Sequence, residues 1–504
     1  MSFTPAGGGA DRSFELVRQS LLQGDGLPFA DALTAEQIQQ AFDAEGVSFG
    51  DADRDASAAM TTASSPSAAS EGSPSEEDDG GIVYTRGVTL WAMLSQALFT
   101  DVQRSCRAAV QRVAVYYALL GHEVSSTNTG AYCRARAKVT QGVVQRLAEG
   151  VALRCEAAVP DEWRWHGFRV LMVDGTTFSM TDTEENQQEY PQSSSQAEGL
   201  GFPVLRAVAV TSLATGMVIA LAIGPCTGKE TGETSLLRDL FEKLQPGDLV
   251  LADRYYGGWF MLALLKALGL EFVTRLHQHR IANFGSGKKL GKKDHIVAWA
   301  KPAKPEWLDQ EVYDQLPEQL EVREIEVNVN TPGFRTESLV VVASLFDHKE
   351  YPRDEIATLY HRRWTVELEL RDIKSTMKLD VLRRTTPAWV RQELWTGLLA
   401  YNLIRQSMLQ SAVASRRKPH QLSFAASLQM LANTWVLAAV PPLVTVSARE
   451  RLVALRILNG HSHRVGNRPD RVEPRAVKRR PDHIALLTEL RSVARAKLIA
   501  GQKT

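Results

Sequence analysis

The chain has 504 residues, and its 58 Lys and Arg are matched by 58 Asp and Glu, so its formal net charge is zero. That balance argues against a uniformly basic nucleic-acid-binding protein. With 44% apolar and 23% charged residues the composition is that of an ordinary soluble globular protein, which excludes collagen-like, mucin-like and wholly disordered chains.

The average conceals a segregation. Residues 1–82 contain 15 acidic and 3 basic side chains, so residues 83–504 carry a net +12, and residues 451–504 alone hold 13 Lys and Arg against 4 acids. Such asymmetry indicates either nucleic-acid contact at one end or a solvated tail. Cys106, Cys133, Cys155 and Cys226 form no CxxC pair and neighbour no metal-spaced His. They fit a reducing cytoplasm and are expected to be small apolar core residues. No signal peptide is visible, and the longest uncharged stretch, 207–228, is broken by a SLATG turn between β-branched runs. It reads as a buried hairpin, not a membrane span.

In chain order, residues 1–47 read as a helical arm, with Thr34 and Gln37 spaced for a capping box. Residues 48–82, rich in Ala, Ser, Asp, Glu, Gly and Pro, read as an acidic disordered linker. Residues 83–160 read as a helical domain, with a polar basic segment, NTGAYCRARAKVT, between its second and third helices. The period then changes. FRVLMVDG, VLRAVAVTS and MVIALAIG read as three strands, followed by alternating helices and strands up to LEFVTRLH; this is a mixed α/β sheet. It occupies 161–276 and resumes over 346–385, around a β-rich insertion at 277–345. Residues 386–504 read as a C-terminal helical region with a basic tail.

The segment 352–377 is read as one helix. At ~100° per residue, Tyr360, Arg363, Glu367 and Lys374 fall within about 60° of each other, while Leu359, Val366, Leu370, Ile373 and Met377 form a second stripe that packs on the sheet. The polar stripe suits either a metal held beside a phosphodiester or a solvated face with an Arg363–Glu367 ion pair. Asp174 ends the apolar run FRVLMV and Asp253 ends LVLA. Each alone suits a cap or turn; together with a helix Glu they can supply the oxygen ligands of two hard divalent ions.

The sequence YHRRWTVELELRDIK resembles the Tyr-Arg-Glu-Lys signature of a subgroup of DDE transposases from bacterial insertion sequences, and Tyr360, Arg363, Glu367 and Lys374 fit every interval. VDGTT at 173–177 resembles the first-Asp motif and LADRYY at 251–256 the second, and the resemblance extends over roughly 85–485. It implies an RNase H-like mixed-sheet core with a β-rich insertion, flanked by N- and C-terminal helical regions. It further implies that Asp174, Asp253 and Glu367 hold two Mg²⁺ or Mn²⁺ ions within shared coordinating distance. Tyr360, Arg363 and Lys374 would grip phosphates.

The implied partner is double-stranded DNA, both transposon ends and target, engaged by a homodimer in a bacterial cytoplasm with no membrane association. Further candidate DNA contacts are Arg134 and Arg136, then Lys288, Lys289, Lys292 and Lys293, and finally Arg475, Lys478, Arg479 and Arg480. One departure is that the strand before the signature helix, ESLVVVASL, lacks the base-stacking Trp of relatives. Trp299 and Trp307 are read as substitutes or as insertion-core packing, and Trp364 as core. The competing readings are a DNA-binding protein of transposase descent that no longer cuts, or another RNase H-like nuclease.

Overall fold

The computed structural model describes residues 33–49, 84–119, 124, 126–195, 197, 199–328, 338–435, 446–465 and 489–500. Residues 1–32 of the helical arm, residues 50–82 of the acidic linker and the basic cluster Arg475, Lys478, Arg479 and Arg480 lie outside the described residues, while Phe49, at the start of the linker, packs edge-on against Phe42.

The N-terminal part is helical. Helix α1 (Ala35–Ala44) begins with the expected capping box: Thr34 Oγ1 accepts from the Gln37 amide at 3.2 Å and Gln37 Oε1 from the Thr34 amide at 3.1 Å. Helices α2 (Arg86–Leu98), α3 (Cys106–Leu119), α4 (Gly130–Lys138) and α5 (Gln141–Ala157) follow. The segment NTGAYCRARAKVT, read as polar chain between helices, is therefore mostly helix α4: Tyr132, Ala135 and Arg136 are buried, so a basic sequence still presents an inward face. Thr85 and Thr140 cap α2 and α5.

One sheet dominates the molecule. Strands β1 (Val170–Met180), β2 (Val204–Ser212), β3 (Val218–Pro225), β4 (Leu249–Ala252), β5 (Glu271–Arg275), β6 (Lys288–Gly291), β7 (Asp294–Ala300), β8 (Gln319–Asn328) and β9 (Ser338–Ala343) lie in the order β3-β2-β1-β4-β5-β9-β8-β7-β6. β1, β2 and β3 are antiparallel neighbours, whereas β4 runs parallel to β1 and β5 parallel to β4. That is the mixed RNase H-like order expected. The uncharged stretch is the β2–β3 hairpin. The insertion is not a separate module: β9 pairs with β5, so β6–β9 lengthen the core sheet at its edge.

Three short helices accompany the sheet: α6 (Glu184–Glu189), α7 (Glu233–Arg238) and α9 (Gln310–Gln315); α8 (Trp259–Ala267) is longer and apolar. The segment 352–377 is not one helix. It divides into α10 (Arg353–His361) and α11 (Trp364–Arg371), and ends in a π-turn over 372–376. Its apolar stripe is buried as expected, with Leu359, Val366, Leu370, Ile373 and Met377 at most 5% exposed.

Beyond it, a two-residue strand β10 (Val381–Leu382) pairs parallel with Ser179 and Met180 of β1. The 28-residue α12 (Pro387–Ala414), started by Pro387 in its first turn, runs through the centre. Asn402 on α12 is fully buried. Its Oδ1 accepts from the Val218 amide, and its Nδ2 donates to the carbonyls of Val218 and Ala148, each at 3.0 Å. One amide thus joins α12 to β3 and α5. Helices α13 (Phe424–Thr434), α14 (Val446–Ser462) and α15 (Arg491–Ile499) complete the described chain. Trp91 of α2 stacks on Trp435 at 5.5 Å, joining the two helical regions.

Candidate active site

The site lies where β1 loses a neighbour. β4 pairs with β1 only over Val170–Val173, opposite Leu249–Ala252, and β10 meets the same strand again at Ser179. Between those contacts, residues 174–178 have no ladder partner on that edge among the described residues. Asp174 and Asp253 each follow the last residue of the parallel pairing, Val173 and Ala252, and so stand beside each other at the mouth of this opening. Neighbouring strands lie ~4.8 Å apart, which sets the scale of their separation. The sequence reading placed Asp174 at a strand end. It lies inside an eleven-residue strand, and what ends there is the pairing with β4.

The cap reading of both acids is realised alongside. Asp174 Oδ1 accepts from the Gly175 amide at 3.0 Å, and Asp253 Oδ1 from the Tyr255 amide at 2.7 Å. Asp174 Oδ2 faces Arg363 Nη1 at 4.0 Å, while Nη2 of the same guanidinium donates to Glu367 Oε1 at 2.6 Å. Arg363 is 8% exposed and Glu367 is exposed, so the ion pair expected on the helix face exists but turns inward, bridging helix to strand.

Burial pushes the Asp174 carboxyl up to about 6; Arg363 and the Gly175 amide oppose the rise, and Glu367 and Asp253 add to it. The Tyr360 hydroxyl, buried near Arg363, Arg275 and Asp253, is pushed up to about 12 by burial. Five residues picked from the sequence thus come into one electrostatic neighbourhood: Asp174, Asp253, Tyr360, Arg363 and Glu367. Lys374 lies apart, its ammonium 5.7 Å from the Phe178 ring centroid further along β1.

The expectation of three carboxylates already at shared coordinating distance is not met. Among the described residues no group of three or more Asp, Glu, His or Cys is gathered to hold a metal ion. The physical reason is visible: the Arg363 guanidinium stands between Asp174 and Glu367 as their counter-ion. A stand-in cation with an all-oxygen donor set around it suits a hard divalent ion such as Mg²⁺ or Mn²⁺.

The basic candidates separate. Arg134 is exposed on α4, but Arg136 is buried, with Nη1 3.2 Å from Cys106 Sγ and its guanidinium 5.1 Å from the Trp389 ring centroid. A side chain so enclosed serves packing in this conformation, not an open DNA surface. Lys288, Lys289, Lys292 and Lys293 are all exposed on the β6–β7 hairpin. Trp299 is buried and donates to Glu324 at 2.9 Å, and Trp307 lies under the Arg238 guanidinium at 3.9 Å, so both pack. Trp364 is half-buried, not core, and stacks on His361. Only Cys155 of the four cysteines is fully in the core.

Sequence reasoning missed two features. A cleft of about 250 Å³ beside Asp253 is lined by Arg254, Arg275, Arg280 and His277, from the ends of β4 and β5. Its arginines are scattered in sequence, so no basic run announced it. The second is Glu233, whose carboxylate packs against Gly175. The glycine directly after the strand Asp was the available signal, because Gly inside a strand marks close approach by another group.

No helix of the described residues is long and apolar enough to cross a membrane. The family described as transposase DDE domain matches residues 165–403. The chain is 29% identical over 363 residues to the transposase InsG for insertion sequence element IS4 of Escherichia coli (strain K12), covering 70% of this chain and 76% of that one. Superposition on the piggyBac transposase synaptic complex with hairpin DNA covers 92% of this chain and 88% of that chain, at 10% identity and a TM-score of 0.41. Asp174, Asp253 and the Tyr-Arg-Glu-Lys signature all fall inside the segment that matches the transposase DDE domain, and the chain is similar over most of its length to an IS4 transposase.

Proposed function

We propose that the chain cuts and joins DNA at the terminal inverted repeats of its own insertion sequence by two-metal phosphoryl transfer. Asp174, Asp253 and Glu367 are the metal-holding carboxylates of this reading. The observation that supports it most is the opening at residues 174–178, which puts two strand carboxylates side by side with a helix carboxylate across one arginine. Bound there, two Mg²⁺ or Mn²⁺ ions would activate the attacking oxygen and stabilise the leaving one.

The protein's own groups supply the rest. Arg363 exchanges its carboxylates for phosphate oxygens once they are otherwise neutralised, delivering a planar donor fork to the scissile region. Tyr360, with a hydroxyl that stays protonated at neutral pH, donates beside it. Lys374, further along β1, adds a point charge for the flanking phosphate. The arginines of the cleft beside Asp253 and the exposed lysines of the β6–β7 hairpin hold the duplex on either side, and two copies of the chain bring two ends together.

The test uses the purified full chain, Mg²⁺ and a duplex carrying the element's end. Strand-specific nicking and strand transfer are expected, with Asp174→Ala, Asp253→Ala and Glu367→Ala each reducing the rate by about 10³-fold or more, equivalent to several kcal/mol of transition-state stabilisation. Full activity in Glu367→Ala would overturn the assignment. Inverted repeats flanking the gene are the matching genomic observation; their absence favours a DNA-binding descendant that no longer cuts.

A further inference from the structure

Asp174 and Gly175 are consecutive on β1, so their side-chain directions lie on opposite faces of the sheet. Asp174 faces Arg363 and, through it, Glu367. On the other face, a Cβ at Gly175 would fall 2.2 Å from Cδ of Glu233 and 2.3 and 2.6 Å from its two oxygens. The absent side chain is a cradle that lets a carboxylate touch the strand directly behind Asp174.

Glu233 belongs to α7, which packs on β2 and β3. The carboxylate is fixed from the Asp253 side as well: Tyr256, three residues after Asp253, donates its hydroxyl to Glu233 Oε2 at 3.2 Å. Arg206 adds positive field nearby, but its Nη1 donates to the Thr231 carbonyl at 2.6 Å. The carboxylate is therefore held in place by groups that do not neutralise it. The unpaired edge of β1 at 174–178 is where the two faces of the sheet open to each other.

We propose that Glu233 is a fourth carboxylate of the catalytic centre, acting with Asp174 and Asp253 on a divalent metal ion from the face opposite Glu367. This rests on the reading of those two acids as metal ligands. A purely structural Glu233 would serve Tyr256, and a glutamine carbonyl oxygen accepts that hydroxyl equally well. Only the role toward a cation needs the negative charge. Gly175→Ala separates the two in another way: the added methyl displaces the flexible carboxylate while leaving the charge in the chain.

The experiment is calorimetric titration of the full chain with Mn²⁺ in the absence of DNA, together with thermal melts in metal-free buffer. Glu233→Gln and Gly175→Ala are each expected to weaken Mn²⁺ binding by about tenfold or more. Glu233→Asp should recover part of the loss, and exposed Glu230→Gln should change nothing. The metal-free melting temperature of Glu233→Gln should not fall, because a like charge has been removed from beside Asp253. If Glu233→Gln binds Mn²⁺ as wild type does while Asp174→Asn does not, the fourth carboxylate is overturned and the metal site stands. If Asp174→Asn also binds normally, both readings fall.

Discussion

Cys106 and Cys155 share a residue type and differ in chemistry because of what surrounds each thiol. Burial alone would raise Cys106, but Arg136 and Arg384, with the Gln96 amide, bring it below the ordinary thiol value; Arg136 Nη1 stands 3.2 Å from the sulfur. Cys106 also lines a cavity of about 210 Å³ and is only half-buried. Cys155, inside α5, is pushed up to about 12 by burial. With limiting iodoacetamide at neutral pH, peptide mapping should show Cys106 labelled at least about tenfold faster than Cys155. Arg136→Gln should slow Cys106 selectively, and equal labelling of the two would contradict this account. Nothing in the sequence separated these thiols, because the distinction depends on a guanidinium thirty residues away. Asp174, Asp253 and the signature residues were legible for the opposite reason. Each sits in a local pattern, an apolar run ending in an acid or a fixed helical interval. Gly175 signals a close approach but not by what: Glu233 is 58 positions away and only the fold brings the two together.

At the scale of elements, helix and strand types were largely readable from periodicity, while their continuity was not. The 352–377 stretch keeps helical spacing throughout, yet the chain breaks at Arg362 and Arg363 and widens into a π-turn at 372–376. Spacing alone does not reveal such breaks, because the buried stripe is kept on both sides of them. Alternation reads the insertion as β-rich, but its continuity with the core depends on β9 pairing with β5, a contact across 66 residues or more. A buried ion pair fixes that arrangement. Arg323 on β8 donates from Nε and Nη2 to the two oxygens of Asp294 on β7, at 2.8 and 2.7 Å, and from Nη1 to the Tyr351 carbonyl at 2.8 Å, just before α10. Asp294→Ala would leave a fully buried guanidinium without its carboxylate, at a cost of about 3–5 kcal/mol. A loss of unfolding free energy of that order, read in urea titration as the midpoint shift multiplied by the m-value, is expected. The double replacement Asp294→Leu with Arg323→Met should cost much less, since no buried charge is then left alone.

At the scale of the whole molecule, the zero net charge is a cancellation between residues 1–82, at −12, and the remainder, at +12. A chain without residues 1–82 should bind nonspecific duplex more tightly at low salt, with a steeper salt dependence, because the acidic segment no longer competes with phosphates for basic surface. Unchanged or weaker affinity in a fluorescence-anisotropy titration would count against that competition. The same scale shows how so long a sheet is kept from growing. Among the described residues the nine-strand path ends at β3 and β6, and either border could serve as a template for another chain. At β3, the Asn402 amide occupies the amide and carbonyl of Val218, the donor and acceptor that an incoming strand would seek. At β6, the border is only four residues long and carries the exposed ammonium groups of Lys288 and Lys289. Those two lysines therefore guard colloidal solubility whatever else they do, and neutralising them should make the protein polymerise edge to edge before it becomes less stable.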